Sequence, residues 1–311
     1  MRGMLSVFLA VTLGTYYNPS EKSAMFRTSS RPSETHALAG VTPVLANSGR
    51  DNWTLSFEDT FDGDTLDTSK WTVRRGDRRY DPSYVGVSGG NLNLKIDRTA
   101  HGQIRAARID TTGTSPSYKN KWDQQYGFFE VRAQVPKTDQ TIFAFWLQSY
   151  PGVNRVDGTG HDGCEIDIVE SMFATNTIQP TLHFDGYGPK HKSVSSPRIP
   201  APNLHDDFHV FGLEWTADQL KFFYDGVQVW TYKGVAVPQV KEFIILSTET
   251  GFGEGNLANA NLPYVARVDY VRAWRKILRS TASVGSEELR HDVAIIRRHH
   301  PRRSSLLQSE A

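Results

Sequence analysis

The sequence predicts an all-β protein, built as an antiparallel sandwich of short strands. Two observations favour this class. Apolar residues alternate with polar ones along several segments, as at Leu92, Leu94 and Ile96, and this period of two is typical of strands with one buried face. Gly, Pro and Asp turns separate these segments, and hardly any stretch has a helical period. Many short strands joined by such turns indicate a sandwich.

Two later segments extend the predicted sheets. Residues 129–135 alternate again, with Phe, Val and Ala on one face and Glu, Arg and Gln on the other. Residues 221–224 and 227–230 are both strand-like and are separated only by Asp225-Gly226. A two-residue connection of this composition strongly favours a type I′ hairpin.

The run Glu165-Ile166-Asp167-Ile168-Val169-Glu170 places three carboxylates in an apolar, strand-forming segment. Successive strand side chains alternate faces, so Glu165 and Asp167 share one face of a regular strand, whereas Glu170 would point to the opposite face. A β-bulge at Ile168-Val169 adds one residue and returns Glu170 to that face. We therefore expect three acids on one surface.

Crowded carboxyl groups cannot all ionise easily, so one is expected to stay protonated near neutral pH while another stays charged. Retaining glycoside cleavage needs this split. A charged carboxylate attacks the anomeric carbon, and a protonated one about 5 Å away gives its proton to the leaving oxygen. Asp167 is expected to hydrogen-bond Glu165 and tune its charge. The alternative is an ordinary solvated strand face, which would carry interspersed lysines and arginines.

The acid run and its flanking segments resemble glycoside hydrolase family 16 over about residues 55–274. The bulged Glu-x-Asp-x-x-Glu pattern is similar, and the flanking segments stand in the family's order: 126–133, 144–147, 182–184, 208–215 and 268–272. This resemblance implies a concanavalin A-like antiparallel β-jelly roll whose concave face carries the acid strand.

The resemblance also implies roles for individual residues. Glu165 matches the nucleophile, Glu170 the general acid/base and Asp167 the assisting acid between them. Trp146 matches an aromatic residue beside the sugar next to the cleaved bond, and His183 matches a histidine on the adjoining strand. The alternatives are a core tryptophan and an ordinary sheet-face histidine.

Further substrate-binding candidates come from the loops. Trp122 and Tyr187 are candidates for stacking on sugar rings, with rim or core aromatics as the alternative. Arg155, in the polar loop at 149–163, could pair with a sulfate ester or only with solvent. Residues 190–192, Lys-His-Lys, present the same two alternatives.

A structural calcium ion is a further implication of the resemblance, because family members often carry one near the first strand and the aspartate of the last. Asp269 matches that aspartate. In the first-strand segment, Thr60 stands where relatives commonly have a glutamate, so Asp269 could equally be a surface acid. No redox or nucleotide cofactor is implied, and none is expected to be required.

Composition excludes several classes. The formal net charge of the 311 residues is +1, so no overall field draws the chain to nucleic acid. We expect a monomer with a polysaccharide substrate, no nucleic-acid partner and no stable membrane insertion. The single cysteine, Cys164, cannot form an internal disulfide, and its strand phase predicts a small core residue.

Three regions are expected along the chain: a signal or leader and low-complexity segment at 1–50, a catalytic domain at 51–276, and a basic tail at 277–311. The apolar run at 4–13 is long enough for a signal-peptide core but too short to span a bilayer. This favours secretion or a cell-surface location. The tail could hold an anionic polysaccharide or lie outside the fold.

The functional hypothesis is a retaining endo-β-glycosidase that hydrolyses a β-linked polysaccharide, with β-1,3- or mixed-linkage glucan as the leading substrate. Three alternatives remain open. They are a hydrolase of marine β-galactans such as agar, porphyran or carrageenan, a transglycosylase, and a non-catalytic, lectin-like carbohydrate-binding protein.

Overall fold

Two antiparallel sheets face each other across an apolar core in the computed structural model, which describes residues 42–45, 53–76, 79–114, 120–149 and 155–277. The predicted all-β antiparallel class is confirmed. Of the expected leader and tail, residues 1–41, 46–50 and 278–311 lie outside the described residues. Within the described ranges, no helix has the length and apolar character needed to cross a membrane.

The larger sheet has nine strands, numbered here in chain order through both sheets. Its strand order is β16-β15-β14-β7-β18-β4-β3, with β1 paired to β18 and β5 to β4. The bounds are β1 Trp53–Asp59, β3 Val85–Ser88, β4 Asn91–Arg98, β5 Ile104–Arg105, β7 Gly127–Gln134, β14 Phe208–Trp215, β15 Leu220–Tyr224, β16 Val227–Tyr232 and β18 Tyr264–Lys276.

The smaller sheet has seven strands in the order β12-β11-β9-β8-β17-β6-β2. A separate two-stranded pair joins β10 (Thr177–Ile178) to β13 (Ile199–Pro200). The bounds in the seven-stranded sheet are β2 Thr72–Val73, β6 Arg108–Asp110, β8 Thr141–Gln148, β9 Glu165–Glu170, β11 Thr181–Phe184, β12 Lys192–Ser195 and β17 Phe243–Thr250.

The core is built from the alternation that the sequence shows. Phe129 and Val131 of β7 face it from the nine-stranded sheet, and Leu147 of β8 and Ile166 of β9 face it from the other, all fully buried. Cys164 belongs to the same cluster, as predicted. The opposite face of β8 and β9 is therefore free to carry polar side chains.

The predicted hairpin at Asp225-Gly226 is also confirmed. It joins β15 to β16, and both turn residues have positive φ, +48° at Asp225 and +79° at Gly226. A type I′ turn requires positive φ at both central residues. Asp followed by Gly suits it because a left-handed backbone conformation costs these two residues less energy than most others.

Candidate active site

The acid strand β9 contains the predicted bulge. Against β8, Glu170 pairs with Ala144 and Val169 with Phe145, but the next pair is Asp167 with Trp146, so the register skips Ile168. The extra residue shifts the alternation by one position. Glu165, Asp167 and Glu170 consequently line the same cleft, which has a volume of about 570 Å³.

Glu165 is held by two neutral donors. Gln148 Nε2 donates to Glu165 Oε2 over 3.1 Å, and the hydroxyl of Tyr187 donates to the same oxygen. Gln148 also donates to the Tyr187 hydroxyl over 2.7 Å. Hydrogen bonds donated to a carboxylate favour its charged form, so this arrangement suits a group that must be ionised.

Asp167 is buried beside a histidine. Its Oδ2 lies 3.3 Å from Nε2 of His183, which stands on β11 opposite Glu165. Burial, and secondarily the charge of Glu165, raises the pKa of Asp167 well above its ordinary value. The predicted hydrogen bond between Asp167 and Glu165 is not among the contacts of the described residues. The correction is that the side chain of Asp167 contacts His183 instead.

Glu170 has an environment opposite to that of Glu165. Burial raises its pKa to about 9, with further contributions from the negative charges of Asp167 and Glu165. Within the described residues, its carboxyl group has no ion pair with a lysine or arginine. Glu170 is therefore expected to keep its proton at neutral pH and to be able to donate it.

Trp146 lies in the cleft on β8, beside the acid trio. Its Nε1 donates to Ser247 Oγ over 3.1 Å, which fixes the ring against β17. The guanidinium carbon of Arg108 lies 4.9 Å from the ring centre, a distance at which a cation interacts with an aromatic face. Position and anchoring both suit a residue that stacks on a sugar.

A second set of polar residues lines the same cleft. The Tyr80 hydroxyl donates to Glu249 Oε1, and Arg79 Nη1 lies 3.6 Å from Glu249 Oε2. Arg108 lines the cleft as well, with its Nε 3.5 Å from Asp110 Oδ2. This region combines two guanidinium groups with a tyrosine hydroxyl and a carboxylate, so it can bind hydroxyl or anionic groups of a ligand.

Two predicted substrate contacts are not brought to the cleft. Trp122 packs against Phe57 with ring centres 4.8 Å apart and donates its Nε1 hydrogen to the Ser56 carbonyl, so its position is that of the core alternative. Arg155 is exposed and its Nε pairs with Asp162 Oδ2 at 2.8 Å. Neither residue lines the cleft that contains the acids. Tyr187 does line it, and its hydroxyl contacts Glu165.

The residues near the expected calcium site have protein partners. Asp269 Oδ2 accepts a hydrogen bond from Arg132 Nη1 at 2.8 Å, and Glu58 Oε1 accepts one from Arg272 Nε at 2.8 Å. Thr60 donates to Asp62. Calcium prefers six to eight oxygen ligands, and two arginines among these donors do not suit it. Calcium at Asp269 stays a prediction that this donor set does not favour.

Donor atoms of Glu165, Asp167 and His183 lie within 4.8 Å of one another, a spacing that a cation could span. However, each group has another partner. Asp167 and His183 contact each other, while Glu165 accepts from Tyr187 and Gln148. We assign no metal ligand here.

Sequence reasoning missed several residues in and beside the cleft. Gln148 had a usable signal, because it lies two residues after Trp146 and so shares its strand face. No such signal marked Tyr80, Arg108 or Glu249, because they reach the cleft from distant segments that only the sheet order brings together. His191 was a candidate only as part of Lys-His-Lys at 190–192, and the structure places it in the cleft.

Solved structures with the same architecture define the class of fold. The laminarinase from Rhodothermus marinus superposes with a TM-score of 0.60 at 23% identity, covering 73% of this chain and 98% of that chain. A likeness at this identity shows the fold alone. It places the chain among the antiparallel jelly-roll sandwiches, and the predicted jelly roll is confirmed.

A family model then gives the family. The model described as "Beta-porphyranase A-D, GH16 domain" matches residues 52–276. The chain belongs to glycoside hydrolase family 16, and the resemblance inferred from the motifs is confirmed.

Curated relatives share the family at low identity. Glucan endo-1,3-beta-glucosidase A1 of Niallia circulans is 27% identical, covering 71% of this chain and 38% of that protein. Keratan-sulfate endo-1,4-beta-galactosidase of Sphingobacterium multivorum is 24% identical, covering 68% of this chain and 52% of that protein. The chain thus spans about half or less of the length of these two relatives.

Proposed function

We propose that the protein is a retaining endo-β-glycosidase that hydrolyses a β-linked polysaccharide. The observation that carries this is the bulge in β9, which sets Glu165, Asp167 and Glu170 along one cleft wall. Their surroundings support two different roles. Glu165 accepts two hydrogen bonds on Oε2, whereas burial raises the pKa of Glu170 to about 9.

The mechanism gives Glu165 the role of nucleophile and Glu170 the role of general acid and base. Ionised Glu165 attacks the anomeric carbon as Glu170 gives its proton to the departing glycosidic oxygen, so the C–O bond breaks and a glycosyl ester forms on Glu165. Water then enters. Glu170, now ionised, takes its proton as the water oxygen attacks the anomeric carbon, and Glu165 leaves as carboxylate. Trp146 holds the sugar ring, and the hydrogen bonds from Gln148 and Tyr187 support the charge at Glu165.

β-1,3-Glucan, including mixed-linkage glucan, is the leading substrate. The names of family relatives support it, since those of Niallia circulans and Cryptopygus antarcticus are both glucan endo-1,3-beta-glucosidases. A polymer of this kind is found outside the cell, so we also propose that the protein is secreted or displayed at the cell surface. We propose separately that it acts as a monomer.

A sulfated β-galactan is the second candidate. The family model that matches residues 52–276 is described as a β-porphyranase domain, and the cleft contains Arg79 and Arg108. Guanidinium groups suit sulfate esters as well as sugar hydroxyls.

The test is reducing-sugar release from laminarin, mixed-linkage glucan, agarose, porphyran and carrageenan by the wild-type protein and by Glu165→Gln. We expect one polymer to be cleaved, with at least about a thousandfold loss in the variant. Binding without cleavage by folded wild-type protein would favour the lectin alternative. Longer products on adding an oligosaccharide acceptor would favour the transglycosylase.

A further inference from the structure

We propose that His191 is a positioning residue for the acid trio: it accepts the Nδ1 hydrogen of His183 and so keeps the lone pair of His183 Nε2 directed at Asp167. This inference deepens the proposed function and rests on it for its catalytic meaning. It assigns His191, for which the sequence left a sulfate contact or a solvated loop as alternatives, to the same row of contacts as Asp167.

The contacts form a continuous path. His183 Nε2 lies 3.3 Å from Asp167 Oδ2, and His183 Nδ1 lies 2.9 Å from His191 Nε2. The two imidazole rings stack with centres 5.0 Å apart and an interplanar angle of 12°. Tyr187 stacks on the other ring of the pair, His191, with centres 5.8 Å apart, while its hydroxyl donates to Glu165. One loop thus supports both Glu165 and Asp167.

Only one hydrogen can lie between two neutral imidazole nitrogens, so the contact fixes tautomers. If Asp167 is protonated, its O–H donates to His183 Nε2. His183 then carries its hydrogen on Nδ1, and His191 Nε2 must accept it. If Asp167 is ionised, the arrangement reverses and His191 Nε2–H donates. Burial keeps the Asp167 pKa high, which favours the first arrangement.

The charged surroundings support the same arrangement. Glu165 and Glu170 on β9 face this site, and a further negative charge on Asp167 would be repelled by an ionised Glu165. The nearest lysine on β12, Lys192, pairs with Asp185 at 2.8 Å. Tyr187 contributes a neutral hydroxyl. The position of the proton between Asp167 and His183 therefore depends on the partner of His183 Nδ1, which is His191 Nε2.

Two substitutions separate the hydrogen bond from the ring stack. His191→Phe keeps an aromatic ring but cannot accept a hydrogen bond, whereas His191→Gln loses the ring but offers an amide oxygen. His101→Phe, at an exposed turn between β4 and β5, is the control for removing a histidine. We expect His191→Phe to lower kcat roughly five- to tenfold with little change in KM, because one hydrogen bond is lost. His191→Gln and the control should stay within about twofold of wild type.

Nitrogen-15 spectra of the histidine rings give a readout that does not need activity. We expect His183 to be Nδ1-protonated in the wild-type protein and in His191→Gln, and to lose this preference in His191→Phe. An Nε2-protonated His183 in the wild type would overturn the proposal. So would a loss of kcat in His191→Gln with activity retained in His191→Phe, since that would assign the role to ring packing. If the wild type cleaves no polymer, the proposed function fails, while the tautomer result still decides the positioning contact.

Discussion

A tyrosine donates a hydrogen bond to a glutamate on each side of the sandwich, and the two glutamates differ in their burial and in their other hydrogen-bond partners. In the cleft, the Tyr187 hydroxyl donates to Glu165. On the nine-stranded sheet, the Tyr270 hydroxyl donates to Glu130 over 2.8 Å, and the backbone N–H of Val44 donates to the other oxygen over 2.7 Å. Both oxygens of Glu130 thus have a protein donor.

The surroundings of the two glutamates explain the difference. Glu130 is fully buried, and burial raises its pKa to about 7 although Val44, Tyr270 and the charge of Arg272 oppose the shift. Glu165 instead lies in an open cleft with two other acids, and its donors both reach Oε2. A buried acid with all its partners inside the protein stabilises a fold, whereas a cluster of acids facing a cleft is available to a ligand.

Replacing the acids on the two sides is the strongest test of this comparison. Glu170→Gln removes the proton donor from the cleft and should lower kcat/KM by about 10²- to 10⁴-fold on the polymer identified by the substrate panel. Glu130→Gln is the matched control and should retain activity within about twofold. An equal loss in both variants, with both folded by circular dichroism, would contradict the division between the two sides.

The pH dependence of activity tests the state of Glu170. Because this residue must be protonated to act as the acid and its pKa is raised to about 9, activity should fall as pH rises through about 9. The measurement is kcat/KM from pH 5 to 10. A basic limb that lies below pH 6 would show that burial does not hold the proton on Glu170.

The same shift has a consequence for stability. Between the ordinary pKa of 4.5 and about 9, the unfolded chain releases a proton that native Glu170 retains. The free energy of unfolding should therefore fall as pH rises across this window. Urea unfolding at pH 5 and 8 should show a smaller decrease for Glu170→Gln than for wild type.

Removing the tyrosine hydroxyls gives a smaller effect with opposite outcomes on the two sides. Tyr187→Phe should lower kcat about tenfold and leave stability nearly unchanged, because Tyr187 is 54% exposed and its hydroxyl serves Glu165. Tyr270→Phe should leave activity unchanged and lower the free energy of unfolding by about 1–3 kcal/mol, because buried Glu130 loses a donor. Kinetics and urea unfolding of both variants check this, and a stability loss confined to Tyr187→Phe would reverse our assignment.

The features predictable from sequence are those set by local periodicity. The faces of β9 follow from the two-residue repeat, and three acids in six residues make the bulge at Ile168 the simplest way to bring them together. The hairpin at Asp225-Gly226 follows from turn chemistry. Family resemblance added the jelly roll, which periodicity alone did not specify.

The rest depended on contacts between distant segments. For Trp122 the sequence left sugar stacking and a rim or core position as alternatives, because the same aromatic surface suits each, and the contact with Phe57 decides for the core. For Arg155 the sequence left a sulfate ester or solvent as partner, and Asp162 in the same loop pairs with it instead. His191 reaches His183 only because β11 and β12 pair and their connecting loop folds over β9.

The outer-surface charges should matter least. Asp269 and Arg132 are about one-third exposed on their side chains, and exposed pairs of this kind contribute about 0–1 kcal/mol. Asp269→Asn should therefore lower the free energy of unfolding by no more than about 1 kcal/mol. Because Arg132 already occupies this carboxylate, EDTA should leave the thermal unfolding midpoint of the wild type unchanged. Added calcium that raises the midpoint of the wild type but not of Asp269→Asn would restore the metal site that the resemblance implied, and would show that the nine-stranded sheet also has a ligand.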